Sequence, residues 1–128
     1  MGAMLVRHEP TSASTVRHAL AHDLDEHGVD EDSVATVVLV ASELVTNAIR
    51  HGDIADADDE LDVDWAIHTD HVVVSVEDPS SKLPQRRHPM PEEPGGRGLT
   101  IIDALSSAWG AEPTRRGKRV WAKVSIAR

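Results

Sequence analysis

Apolar residues recur along the chain with two different periods, and each period predicts one kind of secondary structure. A first helix is expected to begin at the hydroxyl-bearing residues of 11–14, which offer N-cap oxygens, and to end near Gly28. A second helix is expected from about Asp30–Ser33 to Gly52. The second helix is the most apolar of the predicted helices, so it should also be the most buried one.

Alternation of apolar and polar residues predicts strands in the second half of the chain. Residues 61–68 alternate in this way and residues 72–76 are valine-rich, so the two segments should pair as an antiparallel hairpin. Two further strands are expected at 108–111 and 120–126, on either side of a turn at Arg116-Gly117.

A long segment between these strands has no pattern of regular structure. Residues 79–97 contain five prolines and two glycines, and a loop of this length in a small domain is usually functional or mobile. A short helix is expected to begin after Gly98, where apolar residues recur at helical spacing.

The expected elements follow the order β-α-α-β-β-loop-α-β-β, with strands and helices segregated rather than strictly alternating. This order predicts an α+β fold, a two-layer α/β sandwich whose mixed, mostly antiparallel sheet carries helices on one face. Residues 1–10 are expected to form an N-terminal arm or an edge strand. Residues 11–128 are expected to form a single domain, which suits a chain of 128 residues.

Composition narrows the classes of function. The formal net charge of −9, from 22 acidic and 13 basic residues, should repel phosphate backbones, so no direct nucleic-acid partner is expected. No segment is expected to approach the roughly 20 apolar residues of a membrane helix. The absence of cysteine is compatible with a reducing compartment. These features together predict a cytoplasmic protein with no membrane partner.

Three polar residues interrupt the apolar second helix at intervals of four. Glu43, Asn47 and His51 therefore lie on one helical face, where burial costs free energy unless the side chains find partners. A carboxylate beside a carboxamide suits Mg²⁺ and water, with Asn47 offering a carbonyl oxygen and Glu43 acting as a general base. From this segment alone, a solvent-facing polar stripe explains the pattern at least as well.

Two further features are candidates for binding a purine or a phosphate. Asp78 lies on the more apolar face of the valine-rich strand, where its carboxylate needs a donor such as the exocyclic amine of a purine; a cap on the turn before Pro79 is the alternative. The glycines of Gly95-Gly96-Arg97-Gly98 let backbone N–H groups approach a phosphate, and Arg97 adds charge. Glycines also simply form turns, so this run is weak evidence by itself.

The order and spacing of these features resemble those of the GHKL, or Bergerat-fold, ATPases. The run Glu-Leu-Val-Thr-Asn-Ala at 43–48 is similar to the N box of that superfamily, and Asp78 to the aspartate of its first glycine box. Gly96-Arg97-Gly98-Leu99 is similar to its second glycine box, and the resemblance extends over residues 11–126. The short length and the Gly117–Trp121 segment resemble stand-alone members related to bacterial anti-sigma-factor serine/threonine kinases.

This resemblance implies ATP and Mg²⁺ as cofactors, held between the helices and a lid. It makes Glu43 the general base, Asn47 the magnesium ligand, and Asp78 the acceptor of a hydrogen bond from the adenine amine. The other residues that we expect at the ATP site are His51, Gly96, Arg97, Gly98, Leu99 and Thr100.

The resemblance also implies protein partners. Kinases of this group phosphorylate a serine or threonine of an anti-anti-sigma protein and sequester a sigma factor, so both are expected partners of this chain. Relatives commonly dimerise, which leaves a homodimer open.

Two departures from the family pattern lie on the adenine side. The first glycine box usually reads Asp-x-Gly-x-Gly, whereas Asp78 is followed here by Pro79 and Ser80. Arg119 is expected at a position where many relatives carry a threonine near the adenine. Arginine cannot accept a hydrogen bond, so the contacts around Asp78 must differ.

The sequence thus leaves two functions open. Retention of Glu43 and Asn47 favours a kinase. The departures at Pro79, Ser80 and Arg119 favour a non-catalytic module that binds ATP weakly or not at all and regulates a transcription factor by sequestration. A histidine-kinase fragment is a third, weaker alternative, because no phosphoacceptor helical hairpin precedes the ATP-binding segment.

Overall fold

The computed structural model describes residues 2–7, 9–51, 60–79 and 94–128, apart from the side chains of residues 50, 51 and 94–99. Five strands and three helices occur in this described part. In chain order they are β1 (Gly2–Arg7), α1 (Ser12–Glu26), α2 (Glu31–His51), β2 (Glu60–Ile67), β3 (His71–Asp78), α3 (Pro94–Leu105), β4 (Ala108–Pro113) and β5 (Lys118–Ser125). The order is the one that the hydrophobic pattern predicts.

The strands form a sheet in the order β1-β2-β3-β5-β4, and each of these four pairings is antiparallel. β1 forms one edge of this sheet and pairs with β2. The predicted hairpin is β2–β3, in which Val63 pairs with Val76 on the buried face. Because side chains alternate along a strand, Asp64 and Ser75 lie on the opposite face, where the Ser75 hydroxyl donates to Asp64 Oδ1 (2.6 Å).

The helices form a second layer on the buried face of the sheet. α2 lies in the middle of this layer, packs against β3 and β5, and is flanked by α1 and α3. Polar links also join the layers, since the Trp65 indole donates to Asp23 (2.7 Å) and the Trp109 indole to Asp103 (2.9 Å). The largest fully buried side chains between the layers are Leu20, Leu24, Leu44, Leu61, Ile102, Val16, Val37, Val40, Val45, Val63, Val72 and Val74. The predicted two-layer α+β class is confirmed.

The start of α1 differs from the prediction. Thr11 occupies the N-cap position with helical backbone angles (φ −67°, ψ −17°), and its side chain makes no capping bond, because a capping hydroxyl needs an extended backbone. The Ser12 hydroxyl instead donates to the carbonyl oxygen of Arg7 (2.5 Å), which ties the helix to the end of β1. At the other end, Gly28 has φ +75°, the left-handed conformation that ends many helices.

α2 is the core helix, and its apolar character exceeds the expectation. Its N-terminus is capped by Asp30, whose Oδ1 accepts a hydrogen bond from the backbone N–H of Ser33 (2.7 Å) and whose pKa this bond lowers. Over Glu31–Ile49 the mean hydropathy reaches 1.4, so by length and composition alone this helix could cross a membrane. The expectation that no segment approaches a membrane span was therefore wrong for α2, although 39% of the window is buried inside the protein.

Candidate functional site

Glu43 and Asn47 lie one turn apart on α2, in the half of the helix that ends at His51. Residues four apart stack on one helical face, so the two side chains are neighbours, and both are half-buried. The Nδ2 atom of Asn47 is buried and has no hydrogen-bond partner within the described residues. A buried amide nitrogen without a partner is uncommon and costly in folded proteins. This atom therefore marks a position at which a bound ligand would be stabilising.

Asp78 ends β3 on the face that packs against the helices, as the alternation predicts. Its carboxylate is buried, at 1% exposure, and Oδ2 lies 3.7 Å from Nζ of Lys118. Lys118 is the residue opposite Asp78 in the β3–β5 ladder and is itself 2% exposed. The ammonium group offsets the cost of burying the carboxylate, which would be severe for an isolated charge.

Arg119 does not lie beside Asp78. In the ladder it pairs with Glu77, and the two charged groups approach within 3.9 Å on the outer face of the sheet. The expectation that Arg119 lies on the adenine side, near Asp78, was therefore wrong, because the residue opposite Asp78 is Lys118. A shift of one residue along a strand moves a side chain to the opposite face, so the correction changes which group meets the ligand.

Lys118 is a candidate site residue that the sequence analysis missed. The signal was present, because Val120, Ala122 and Val124 occupy the buried face of β5 and the same alternation, extended back by two residues, places Lys118 on that face. A lysine at a strand position where the alternation expects an apolar residue is predicted to be buried, whereas a lysine at a polar position of the strand is predicted to lie on the surface.

The backbone before β5 lies tightly against the end of β3. A Cβ built on Gly117 would lie 2.5 Å from the carbonyl carbon of Pro79 and closer still to the carbonyl oxygen of Asp78. Such approaches do not occur for real Cβ atoms, so the position requires glycine. Gly117 thereby fixes the start of β5 beside Asp78 and, with it, the position of Lys118.

We expect Gly117→Ala to lower the free energy of unfolding by about 1–3 kcal/mol, because the backbone of Asp78 and Pro79 cannot move aside as a side chain can. Denaturant unfolding would measure the loss. Gly110→Ala is the matched control, since its Cβ would meet the ring of Trp121 at 3.0 Å and the ring can shift by a few tenths of an ångström. Equal losses in the two variants would contradict a special requirement for glycine at 117.

The glycine-rich segment lies inside a helix rather than before one. α3 begins at Pro94, so Gly96, Arg97 and Gly98 belong to its N-terminal part, and the prediction of a helix that starts only after Gly98 was wrong. Proline suits the first position of a helix, because its fixed φ matches the helix and its missing N–H has no partner there. Leu99 and Thr100 follow in the same helix, and the side chain of Thr100 is exposed.

Parts of the predicted site lie outside the described residues. They comprise the side chains of His51 and of residues 94–99, and residues 80–93 of the predicted loop, which include Ser80. Pro79 is described and is half-buried directly after Asp78.

The elements that carry the candidate residues are neighbours in the fold. α2, with Glu43 and Asn47, packs against β3, which ends at Asp78, against β5, which begins at Lys118, and against α3. The three motifs, far apart in the chain, thus lie on elements that meet at one helix. This arrangement makes the region between α2, α3 and the β3–β5 ladder the candidate functional site.

The residues present fit a magnesium-bound nucleotide. In the described ranges, no group of three or more His, Cys, Asp or Glu side chains is arranged to hold a metal ion. Mg²⁺ in phosphate sites needs few protein ligands, because phosphate oxygens and waters fill the rest of its coordination sphere. A carboxamide carries an acceptor oxygen and a donor nitrogen, so Asn47 can offer its oxygen to a metal and its orphaned nitrogen to a phosphate oxygen.

Comparison with known proteins gives a family and a relative. The profile of the family described as "Histidine kinase-like ATPase domain" matches residues 6–124. The chain is also similar to a curated protein, "Serine-protein kinase RsbW" of Oceanobacillus iheyensis. The two are 28% identical over 114 residues, which is 80% of this chain and 72% of that protein.

Two solved structures share the fold. The RsbU and RsbW domains of Rv1364c from Mycobacterium tuberculosis match with a TM-score of 0.68 and 24% identity, over 100% of this chain and 33% of that chain. The histidine kinase domain of a blue-light activated histidine kinase from Erythrobacter litoralis EL346 matches with a TM-score of 0.57 and 18% identity, over 91% and 60% of the two chains. The present chain thus spans a third of the first structure and less than two thirds of the second, and these likenesses concern the fold.

Proposed function

This chain belongs to the histidine kinase-like ATPase family, and we propose that it is an ATP- and Mg²⁺-dependent protein kinase. Its substrate would be a serine or threonine of an anti-anti-sigma-type protein, and it would act as an anti-sigma factor by binding a sigma factor. The similarity to a serine-protein kinase supports this proposal. The single observation that carries it is the orphaned amide of Asn47, one turn after Glu43 on the core helix.

Three groups are proposed to hold the nucleotide. Asn47 would bind the magnesium ion, and Asp78 would accept a hydrogen bond from the adenine amine. The first backbone N–H groups of α3 have no partner within the helix and would face the phosphates. The remaining residues proposed for the same site are His51, Gly96, Arg97, Gly98, Leu99 and Thr100. Bound Mg-ATP would supply the γ-phosphoryl group, with the metal offsetting charge on the phosphate oxygens.

Glu43 is proposed as the general base. Its carboxylate would take the proton of the partner's hydroxyl while that oxygen forms a bond to phosphorus and the bond to the leaving ADP oxygen breaks. Because Glu43 is only half-buried, a hydroxyl from a docked protein can reach it. Its place on a rigid helix, four residues from Asn47, fixes the base relative to the metal side of the site.

The proposed partners are proteins rather than nucleic acid or lipid. A net charge of −9 disfavours contact with phosphate backbones. ATP and regulatory protein partners are both available in the cytoplasm, which is the proposed location. A homodimer is the assembly that we propose to test first.

The proposal is tested by the nucleotide affinity of the wild-type protein. We expect titration calorimetry to show that ATP binds at least roughly tenfold more tightly in Mg²⁺ than in EDTA, a difference of about 1.4 kcal/mol in binding free energy. Transfer of ³²P from [γ-³²P]ATP to a purified anti-anti-sigma protein would then show the kinase activity. Absence of Mg²⁺-dependent binding would refute the kinase. Weak or absent ATP binding would support the alternative, a module that regulates by sequestration, whereas Mg²⁺-dependent binding without transfer to any such protein would leave only the ATP site.

A further inference from the structure

The base-binding end of the proposed site contains a buried ion pair that the family resemblance does not account for. Lys118 and Asp78 face each other across β3 and β5 on the helix side of the sheet, with Nζ 3.7 Å from Oδ2. Both residues are almost completely buried, at 2% and 1% exposure. The backbone at Gly117 also packs closely against the backbone of Asp78 and Pro79, and this main-chain contact keeps Lys118 next to the carboxylate.

Stability alone is a poor explanation for this pair. Lysine is among the residues least often fully buried. A buried ion pair often stabilises a protein no more than apolar residues of the same volume would. The neighbouring positions on this face of β5 are filled by Val120, Ala122 and Val124, so a small apolar residue would also suit the pattern. A buried cation beside the proposed adenine ligand therefore suggests a role in binding.

We propose that Lys118 recognises the base of the nucleotide. Its ammonium donates a hydrogen bond to one of the two adenine ring nitrogens that flank the exocyclic amine, N1 or N7, while Asp78 accepts a hydrogen bond from the amine. This inference rests on the proposed ATP site. The amine of adenine is a donor flanked by ring nitrogens that are acceptors, and a carboxylate beside an ammonium is the matching acceptor and donor. An ammonium has three N–H groups, so a lysine that interacts with a carboxylate can also donate to a ligand.

The same pair discriminates against guanine in that orientation. Guanine carries an acceptor oxygen where adenine carries the amine, so this oxygen would face the carboxylate of Asp78. A site built to hydrogen-bond one group rejects an analogue that leaves its buried polar atoms unpaired. Lys118 and Asp78 together would therefore determine the preference for ATP over GTP. With an uncharged side chain opposite Asp78, a water molecule would have to make part of the hydrogen bonding that distinguishes the two bases.

Deaza analogues test this inference on the wild-type protein without any substitution. We expect one of two analogues, 1-deaza-ATP or 7-deaza-ATP, to bind roughly ten- to a hundredfold more weakly than ATP, the usual loss for a hydrogen bond to a charged donor. The other analogue should bind like ATP, which identifies the ring nitrogen. GTP should bind more weakly than ATP by at least the same factor.

Lys118→Met then shows whether the lysine is responsible. It should lower ATP affinity and remove the difference between ATP and the sensitive analogue, whereas Arg119→Met, which removes a cation from the outer face of the same strand, should change neither. Because Lys118→Met leaves the Asp78 carboxylate without its cation, thermal unfolding must be measured beside it. If the variant does not fold, the analogue series on the wild type still decides.

Three results would overturn the inference. Equal affinity of the wild type for ATP and both deaza analogues would show that no side chain donates to these ring nitrogens. Tighter binding of ATP by Lys118→Met would show that the lysine competes with the base for Asp78. If the wild type binds no ATP at all, the proposed function fails together with the inference, which distinguishes that outcome from the other two.

Discussion

Asn47→Ala should remove the Mg²⁺-dependent part of ATP binding, with a loss of roughly ten- to a hundredfold in affinity. In the proposed site its carboxamide oxygen is the only oxygen that we assign from this chain to the metal. Alanine cannot replace that ligand, so the variant should bind ATP equally in Mg²⁺ and in EDTA. Titration calorimetry in both conditions measures the effect directly.

The stability of the Asn47→Ala variant should not fall, and this separates a binding role from a structural one. The Nδ2 atom is buried without a partner in the described part of the chain, so its removal breaks no hydrogen bond and relieves an unsatisfied donor. Thr36→Ala is the control, because Thr36 lies earlier on α2 and its hydroxyl donates to the carbonyl oxygen of Asp32 (3.0 Å). If Asn47→Ala lost stability while the Mg²⁺ dependence of ATP binding stayed the same, Asn47 would have a structural role rather than a role in metal binding.

The sheet and the core helix could be predicted because both follow strict periods. The alternation of Leu61, Val63 and Trp65 placed one face of β2 in the core, and the valines of β3 placed the matching face of its partner. A shift by one residue would have exposed all of these side chains together, so a single arrangement satisfies the pattern. The same holds for α2, whose apolar stripe faces the core, although its Leu39 is 42% exposed.

Boundaries and register at the site could not be predicted in the same way. Three glycines suggested a turn near Gly98, yet Pro94 begins α3 ahead of them, because the first turn of a helix tolerates both proline and glycine. The close approach of Gly117 to Asp78 is a tertiary contact that no local pattern records. The alternation along β5 places Lys118 rather than Arg119 on the buried face, but only the pairing of β5 with β3 shows that the lysine lies opposite Asp78.

The family resemblance and the physical pattern therefore contributed different parts of the site. Resemblance supplied Glu43, Asn47 and Asp78 as a set, which the residues alone left ambiguous. The structure added the environment of each residue, an orphaned amide for Asn47 and a buried cation for Asp78. On the metal side the structure thus adds an unsatisfied amide to a residue that the resemblance supplied, and on the base side it adds Lys118, which the resemblance did not supply.

Glu43→Gln should retain ATP binding and lose phosphotransfer, with a rate reduced by roughly 10²–10⁴-fold. Glutamine keeps the size of the side chain and most of its hydrogen bonding, but it cannot take a proton from the partner's hydroxyl. Single-turnover transfer of ³²P from [γ-³²P]ATP to the partner protein measures the rate, and calorimetry with the unreactive analogue AMP-PNP and Mg²⁺ measures binding.

Glu31→Gln is the matched control, because it makes the same chemical change at an exposed position in the first turn of the same helix. It should alter neither binding nor transfer. An equal loss of binding and transfer in Glu43→Gln would mean that Glu43 organises the nucleotide site rather than acting as the base. Unchanged transfer in a Glu43→Gln variant that binds normally would show that no general base is needed at this position. The rate would then come from positioning of the substrate and from the metal, on both of which phosphoryl transfer depends strongly.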